Sequence, residues 1–347
     1  MQQVKRPSIS DVAKLANVSK QTVSRVINES PNVSDKTRQC VLQAIADLGF
    51  RRSEVARSFS QGRTYSLGVV GRNLIYFGTS TYIGIARQAE TLGYSLLLKE
   101  LPDSSIDQIE PMLHALLDRQ VDGIVWAIPE ISDNHAWLDT ELFDQIPVPI
   151  VFLSMAPHPK ASVVAYDNFV GGMQATQHLL ECGRQHIGHI TGPLDWWDAS
   201  ERRRGWEAAL QQTGRPVLPN HMVTGNWDAA SGEAAFHRLL ENYPEMDAVF
   251  VSNDKMALGV LLAAHDKGLR IPEDLAVIGF DDITESAYFH PPLTTVLQNK
   301  PALGQLAVKT LVHKIEEKFQ TETQTALDSE PLVHQLIVRK TTLMRVP

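Results

Sequence analysis

Cysteine is nearly absent: Cys40 and Cys182 are the only two in 347 residues, too few and too far apart for a disulfide framework. No cluster of cysteine and histidine has the spacing of a metal site. No apolar run approaches the roughly 20 residues of a membrane span, and the opening stretch MQQVKRPSIS has no apolar centre of the signal-peptide kind. Synthesis and work in the cytoplasm are therefore expected. Phosphate-cradling glycines are missing too. The first apolar strand runs into GVVGRN rather than G-x-G-x-x-G, and neither G-x-x-x-x-G-K-[ST] nor G-x-S-x-G occurs. Twelve histidines are scattered with no nucleophile beside them. These absences argue against catalysis and against a cofactor.

What is present is a chain 43% hydrophobic, long enough for two or three domains, whose net charge of −8 is unevenly spread. Residues 1–62 hold ten positive side chains (Lys5, Arg6, Lys14, Lys20, Arg25, Lys36, Arg38, Arg51, Arg52 and Arg57) against five negative ones (Asp11, Glu29, Asp35, Asp47 and Glu54). That end carries +5 and the remainder −13. A basic small domain on an acidic body suits a polyanion held at one end only.

The stretch SKQTVSRVIN, Ser19 to Asn28, explains that end. At helical spacing Lys20, Gln21, Ser24, Arg25 and Asn28 fall on one side and Val23, Val26 and Ile27 on the other. Ser19 is placed to cap the helix, and the residues just beyond it are long hydrogen-bond donors instead of the acids usual at a helix start. Upstream, SISDVAKLAN reads as a shorter helix with Ser8 and Asp11 forming a capping box and Val12, Ala13 and Ala16 buried. Asn17 to Lys20 make the turn between them. Two short helices so joined form a helix-turn-helix, whose second helix enters the DNA major groove. Gln suits adenine and Arg suits guanine, each by two hydrogen bonds. On periodicity alone a plain helical bundle with a solvated face competes with this reading. A third helix follows, capped by Ser34, with Val41, Ile45 and Leu48 inward and Gly49 ending it. After it comes FRRSEVARSFSQGRT, nearly without an apolar face and unstable as an isolated helix.

From Tyr65 apolar strands alternate with helices. Strands are predicted near 65–71, 94–99, 122–126 and 149–153, with helices near 79–92, 105–118 and 135–144. A second series has strands near 163–166, 187–191, 221–224, 247–251 and 275–279, and helices near 169–182, 200–213, 229–241 and 254–267. A helix near 301–319 and a strand near 333–339 close the chain. The fold class is α/β: two lobes of doubly wound parallel sheet behind a helical headpiece, with a ligand cleft beyond the carboxyl ends of the strands.

The residues ISDVAKLANVSKQTVSRVINESPNVSDKTRQCVLQAIADLGF resemble the headpiece of lactose-repressor/galactose-repressor (LacI/GalR) regulators, and EVARSF resembles their hinge helix. GPLDWWDASERRRGW, GNWDAASG, VSNDKMALGV, VIGFDD and PPLTTVLQN extend the likeness over nearly the whole chain. The resemblance implies a headpiece at 1–50, a hinge at 51–62 and a periplasmic-binding-protein-like core at 63–340. The first lobe would comprise about 63–162 and 293–324, the second about 163–292 and 325–340. It implies a homodimer on double-stranded operator DNA, with a small-molecule effector, expected to be a carbohydrate, and no membrane. The end of the chain at Pro347 leaves no room for a tetramerising coiled coil, so a dimer is expected.

By position, Lys20, Gln21 and Arg25 match base-reading residues of the family, and Ser19, Thr22, Ser24 and Asn28 match neighbours that touch phosphate or fix the helix. Phe59 stands where the family usually inserts a leucine wedge into the minor groove, with Arg57 near phosphate, and Arg52 stands where proline is common. Arg202, Trp227, Asn253 and Asp281 match effector contacts, and Gln298 is a further candidate. A carboxylate and a guanidinium can each hold two hydroxyls, and an indole can cover the C–H face of a pyranose. Structural roles compete for each: Asp281 fixing its turn with Asp282, Arg202 as one of three solvated arginines, Trp227 as core, Asn253 as a helix cap. Trp196 and Trp197 either wall the pocket or cover the lobe. The alternative effectors are a purine or a phosphorylated sugar, the latter needing a basic cluster that only Arg202 to Arg204 could supply.

Overall fold

The computed structural model describes residues 7–27, 30–50, 63–72, 79–101, 106–319 and 332–343. Asn28, Arg52, Arg57 and Phe59, with the whole expected hinge at 51–62, lie outside them. The chain divides into two compact units, one ending at Thr64 and one beginning at Tyr65.

The first unit is three helices: α1 (Ile9–Leu15), α2 (Lys20–Ile27) and α3 (Asp35–Leu48). Capping residues in the sequence mark the start of α1 and both ends of α3. The Asp11 carboxylate accepts from the Ser8 amide at 2.8 Å and the Ser8 hydroxyl at 2.6 Å. Ser34 Oγ accepts from the Thr37 amide, and Gly49 ends α3 with φ +59°, a left-handed conformation that glycine adopts without strain. Val12, Val23 and Val41, one from each helix, are wholly buried, joined by Ala13, Ala16, Val26 and Ala44.

The second unit holds two sheets. The first contains β1 (Ser66–Gly71), β2 (Ser95–Glu100), β3 (Gly123–Ala127), β4 (Ile150–Leu153) and β5 (Ser162–Val164), all parallel, in the order β2-β1-β3-β4-β5. Helices cover both faces, which is why its central strands are apolar without alternation. On one face α4 (Thr79–Thr91) and the late helix α11 (Lys300–Phe319) pack over Val69, Val125 and Val151. On the other, α5 (Ile106–Leu117) packs over Val70, Ile124, Trp126 and Phe152.

The second sheet contains β6 (Ile187–Thr191), β7 (Met222–Thr224), β8 (Ala248–Val251), β9 (Ala276–Asp281), β10 (Thr294–Leu297) and β11 (Gln335–Ile337), in the order β11-β10-β9-β8-β6-β7. Only β11 runs antiparallel among the pairings of this sheet. Its helices are α7 (Asn168–Glu181), α8 (Trp197–Gln212), α9 (Ala229–Asn242) and α10 (Asp254–Asp266). Helices α7 and α8 touch backbone to backbone. A Cβ at Gly172 would lie 2.3 Å from the Arg202 carbonyl oxygen, and one at Gly205 2.2 Å from that of Phe169.

Three expectations need correction. The stretch 135–144 is no continuous helix: a 3-10 turn (Ala136–Asp139) is followed by the one-turn α6 (Glu141–Asp144). Thr140 separates them in an extended conformation, its hydroxyl donating to the Trp137 carbonyl at 2.8 Å in competition with the helical ladder. Second, Ser162–Val164 was expected to open the second lobe, yet it pairs with β4 and its Val164 joins the first lobe's core. Third, residues from 293 were expected to return to the first lobe, yet Thr294–Leu297 pairs with β9 and β11. This strand escaped periodicity because half of it is threonine, whose buried hydroxyls are satisfied locally: Thr294 by Arg339 and Thr342, Thr295 by Asp254. The chain therefore crosses between lobes at 165–167, at 298–299 and again between Leu332 and Gln335, and at the first two the Tyr166 hydroxyl donates to the Asn299 carbonyl at 3.0 Å.

Candidate functional site

In the first unit the capping residue of α2 acts as its position implies. Ser19 Oγ accepts from the Thr22 amide at 3.0 Å and lies 2.9 Å from the Thr22 hydroxyl. The turn before it contains Asn17 at φ +52°, with the Val18 amide donating to the Ala13 carbonyl at 3.0 Å. Val23 and Val26 are turned into the core, so Lys20, Gln21 and Arg25 stand exposed on the opposite side, with Thr22 and Ser24 half-buried between. Three long donors thus project from one face, Lys20 and Gln21 in the first turn, near the positive end of the helix dipole, and Arg25 in the last.

In the second unit, side chains converge at the carboxyl ends of β6 to β10, the usual ligand edge of a parallel sheet. Arg202 on α8 is their centre. It is 4% exposed, and its guanidinium lies over the Phe280 ring at 3.9 Å. Nε donates to Asn168 Oδ1 (2.8 Å), Nη1 to the Ser252 carbonyl (2.6 Å) and Nη2 to Gln298 Oε1 (3.4 Å). Asn168 passes the chain on, donating to Asp198 Oδ1 at 2.8 Å and accepting from Gln298 Nε2 at 3.2 Å. Burial pulls the Arg202 pKa down from its ordinary value, and the carboxylates of Asp281, Asp198 and Asp254 oppose this. Burial pushes Asp198 up to about 6, held back by Arg202 and raised further by Asp281.

Asp281 ends β9 at φ +110° and pairs with Lys300 Nζ at 3.3 Å, while Asp282 pairs with Arg339 at 2.7 Å. Asp281 and Asp282 thus have separate cationic partners. Asn253 does cap a helix: its Oδ1 accepts from the Met256 amide and its Nδ2 donates to the Trp227 carbonyl, both at 2.9 Å. Trp227 sits at φ +68° with its ring over Gly192, where a Cβ would come within 2.2 Å. Its indole N–H is buried without a hydrogen-bond partner among the described residues. Trp196 meets it edge to face at 5.6 Å. Trp196 also forms a bridge with Ile131, and the Trp197 amide donates to the Glu130 carbonyl at 3.1 Å, so this loop joins the second lobe to the first.

The five predicted effector residues are therefore brought together. Arg202 and Gln298 touch, the Arg202 guanidinium is 5.8 Å from the Trp227 ring, and Asn253 holds the Trp227 backbone. Sequence reasoning missed Asn168, Asp198 and Lys300. Asp198 lies within a quoted motif, four residues before Arg202 and hence one helical turn away, a spacing that was the available signal. Asn168 and Lys300 carried none, because their role depends on partners distant in sequence, Asp198 and Arg202 for Asn168 and Asp281 for Lys300. Among the described residues no group of histidine, cysteine and acidic side chains could hold a metal ion, and no helix is long and apolar enough to cross a membrane.

Two family models match, "Bacterial regulatory proteins, lacI family" over residues 8–53 and "Periplasmic binding protein-like domain" over 176–342. The HTH-type transcriptional repressor PurR of Haemophilus influenzae (strain PittEE) is 35% identical over 96% of this chain and 98% of its own. The chain belongs to the LacI family. Another member, the ribose operon repressor of Escherichia coli (strain K12), is 35% identical over 94% of this chain and 98% of its own. Among solved structures, a Lac repressor dimer bound to operator and the anti-inducer ONPF superposes with a TM-score of 0.83 at 29% identity, covering 98% of this chain and 100% of that one. As a LacI-family member the protein is a DNA-binding transcriptional regulator with a ligand-binding core.

Proposed function

We propose that this regulator represses carbohydrate-utilisation genes and is released from its operator by a small neutral sugar, galactoside- or glucoside-like, held between the lobes of its core. The charge balance at the strand ends carries this reading. Asp198 feels the charges of Glu130 and Asp281, and Asp254 that of Asp281, against two cations, Arg202 and Lys300. A phosphorylated sugar would meet net negative charge there. The neighbouring arginines do not relieve it, since Arg203 is paired with Glu207 at 2.8 Å and Arg204 with Glu201 at 2.6 Å. A polyol, in contrast, offers hydroxyl donors to Asp281 and Asp198, acceptors to Lys300 and the Trp227 indole, and a C–H face to Trp227 or Trp196. A thermal-shift screen of the whole chain with D-ribose, D-galactose, cellobiose, adenine, hypoxanthine and glucose 6-phosphate tests this. A ligand at about 100 times its Kd stabilises the native state by roughly 2.7 kcal/mol. A shift with the nucleobases or the sugar phosphate alone overturns the proposal.

On the DNA side, Lys20, Gln21 and Arg25 read base edges in each half of a near-palindromic operator, and Ser19, Thr22, Ser24 and Asn28 touch phosphate or fix the helix. Arg57 and Phe59 act at the centre of the site, Phe59 as a minor-groove wedge. Gln21→Ala and Arg25→Ala are each expected to weaken operator binding by roughly 1–3 kcal/mol and to relax preference at one base per half-site. Selection from a randomised operator pool checks this, and an unchanged preference in both variants removes the assignment.

Two headpieces require two chains. Leu258 and Leu262, one turn apart on α10, are 44% and 51% exposed, an apolar stripe suited to a second copy of the same helix. Light scattering at micromolar concentration is expected to give a dimer. Leu262→Asp should shift it to monomer and weaken operator binding, whereas a wild-type monomer or tetramer contradicts the reading.

A further inference from the structure

Beneath the cleft lies a carboxylate with no assigned role. Asp254, the first residue of α10, is wholly buried. Its Oδ2 accepts from the Ile283 amide at 3.0 Å and the Ser286 hydroxyl at 2.7 Å, and its Oδ1 accepts from the Thr295 hydroxyl at 2.6 Å. All three donors belong to other elements: the turn after β9, the 3-10 helix Thr284–Tyr288 and strand β10. Gly279 of β9 leaves the space, for a Cβ there would fall 2.2 Å from Asp254 Oδ1.

The turn held in this way is a strained one. Asp281 and Asp282 have φ +110° and +54°, in the region that side chains with a Cβ avoid. Such conformations are unfavourable in themselves and persist where surrounding contacts over-determine them. The Ile283 and Ser286 bonds supply that constraint two and five residues beyond Asp281, and the Leu293 amide, donating to the Ser286 carbonyl at 2.9 Å, adds to it. The two carboxylates also feel each other: burial first, and the Asp281 charge second, push Asp254 up to about 7.

We propose that Asp254 is a positioning residue for effector binding, its carboxylate clamping the Asp281–Ser286 turn so that the Asp281 side chain is presented to the cleft. This rests on the reading of Asp281 as an effector contact. Asparagine can take over the clamp: its carbonyl oxygen accepts from Ile283 and Ser286 while its amide donates to the Thr295 hydroxyl, which can also accept. Alanine cannot.

The test measures affinity for D-ribose, D-galactose and cellobiose by calorimetry on the whole chain, in wild type, Asp254→Ala, Asp254→Asn, Asp281→Ala and the Asp254→Ala/Asp281→Ala pair. For whichever sugar binds wild type, Asp254→Ala is expected to lose roughly tenfold or more and Asp254→Asn to stay within about threefold. Because Asp254 acts through Asp281, adding Asp254→Ala to Asp281→Ala should change affinity less than about twofold. If Asp254→Ala does not fold, Ser286→Ala and Thr295→Val, which remove single donors, carry the test with expected losses of roughly threefold each. Unchanged affinity in those two, or in Asp254→Ala, overturns the inference, as does full additivity in the pair. A wild type that binds none of the sugars, or an Asp281→Ala that binds normally, overturns the reading of Asp281 itself.

Discussion

Arg202→Ala is expected to destabilise the core by about 3–5 kcal/mol, the range for removing one partner from a buried charged network. The loss has identifiable parts. Asn168 Oδ1 and the Ser252 carbonyl would each lose a donor, Phe280 would lose the cation on its face, and Asp198, Asp254 and Asp281 would lose the main positive charge among them. For a core of this size the melting temperature should fall by roughly 5–10 °C. Arg202→Lys should recover only part of this, since an ammonium lacks the planar fork that stacks on Phe280 while donating to Asn168, Ser252 and Gln298. Scanning calorimetry decides the matter, and an Arg202→Ala melting within about 1 °C of wild type would remove Arg202 as the organiser of the site.

Asp281→Ala should abolish release by sugar while operator affinity in the absence of sugar stays within about twofold. Each hydrogen bond from a ligand hydroxyl to a carboxylate contributes roughly 1.5–3 kcal/mol, so losing two weakens binding by more than about a hundredfold. The ligand can bias the lobes only by its difference in affinity for their two arrangements, and operator must weaken sugar binding by the factor that sugar weakens operator binding, commonly about 5–150-fold. Titrating the variant with operator, with and without the inducing sugar, reads both quantities. An undiminished response to sugar sinks the assignment.

Reading the sequence worked best where the information was local. The caps at Ser8, Ser19, Ser34 and Gly49, and the inward faces of all three headpiece helices, follow from spacing within a turn or two. Strands buried on both sides announced themselves as apolar runs. What failed was allocation between sheets: Ser162–Val164 has the same local character as any second-lobe strand, and only pairing with β4 decides its place. Thr294–Leu297 failed for the opposite reason, being polar in sequence yet buried through hydroxyl partners near 341 and at Asp254. The candidate effector residues came from resemblance, and the structure shows why composition would not have singled them out. Arg202 is flanked by two more arginines, and only a partner on α7 and a ring on β9 distinguish it from them. Asn253, a candidate effector contact in the sequence, caps its helix in the structure.

The placement of α11 has a consequence for the order in which the protein is made. The headpiece core is contiguous, complete once Phe50 has been synthesised. The first lobe's core waits for Leu303, Ala307, Val308, Leu311, Val312 and Ile315, and the edge of the second sheet waits for β11. At 5–20 residues per second, translation separates these events by roughly 10–50 s. For that interval the nascent chain has a finished reading head and two unfinished lobes, each lacking a piece encoded in the last fifth of the message. A ribosome that stops before codon 300 releases a fragment whose headpiece can fold and whose sensor cannot, so truncation leaves a chain that no ligand can switch.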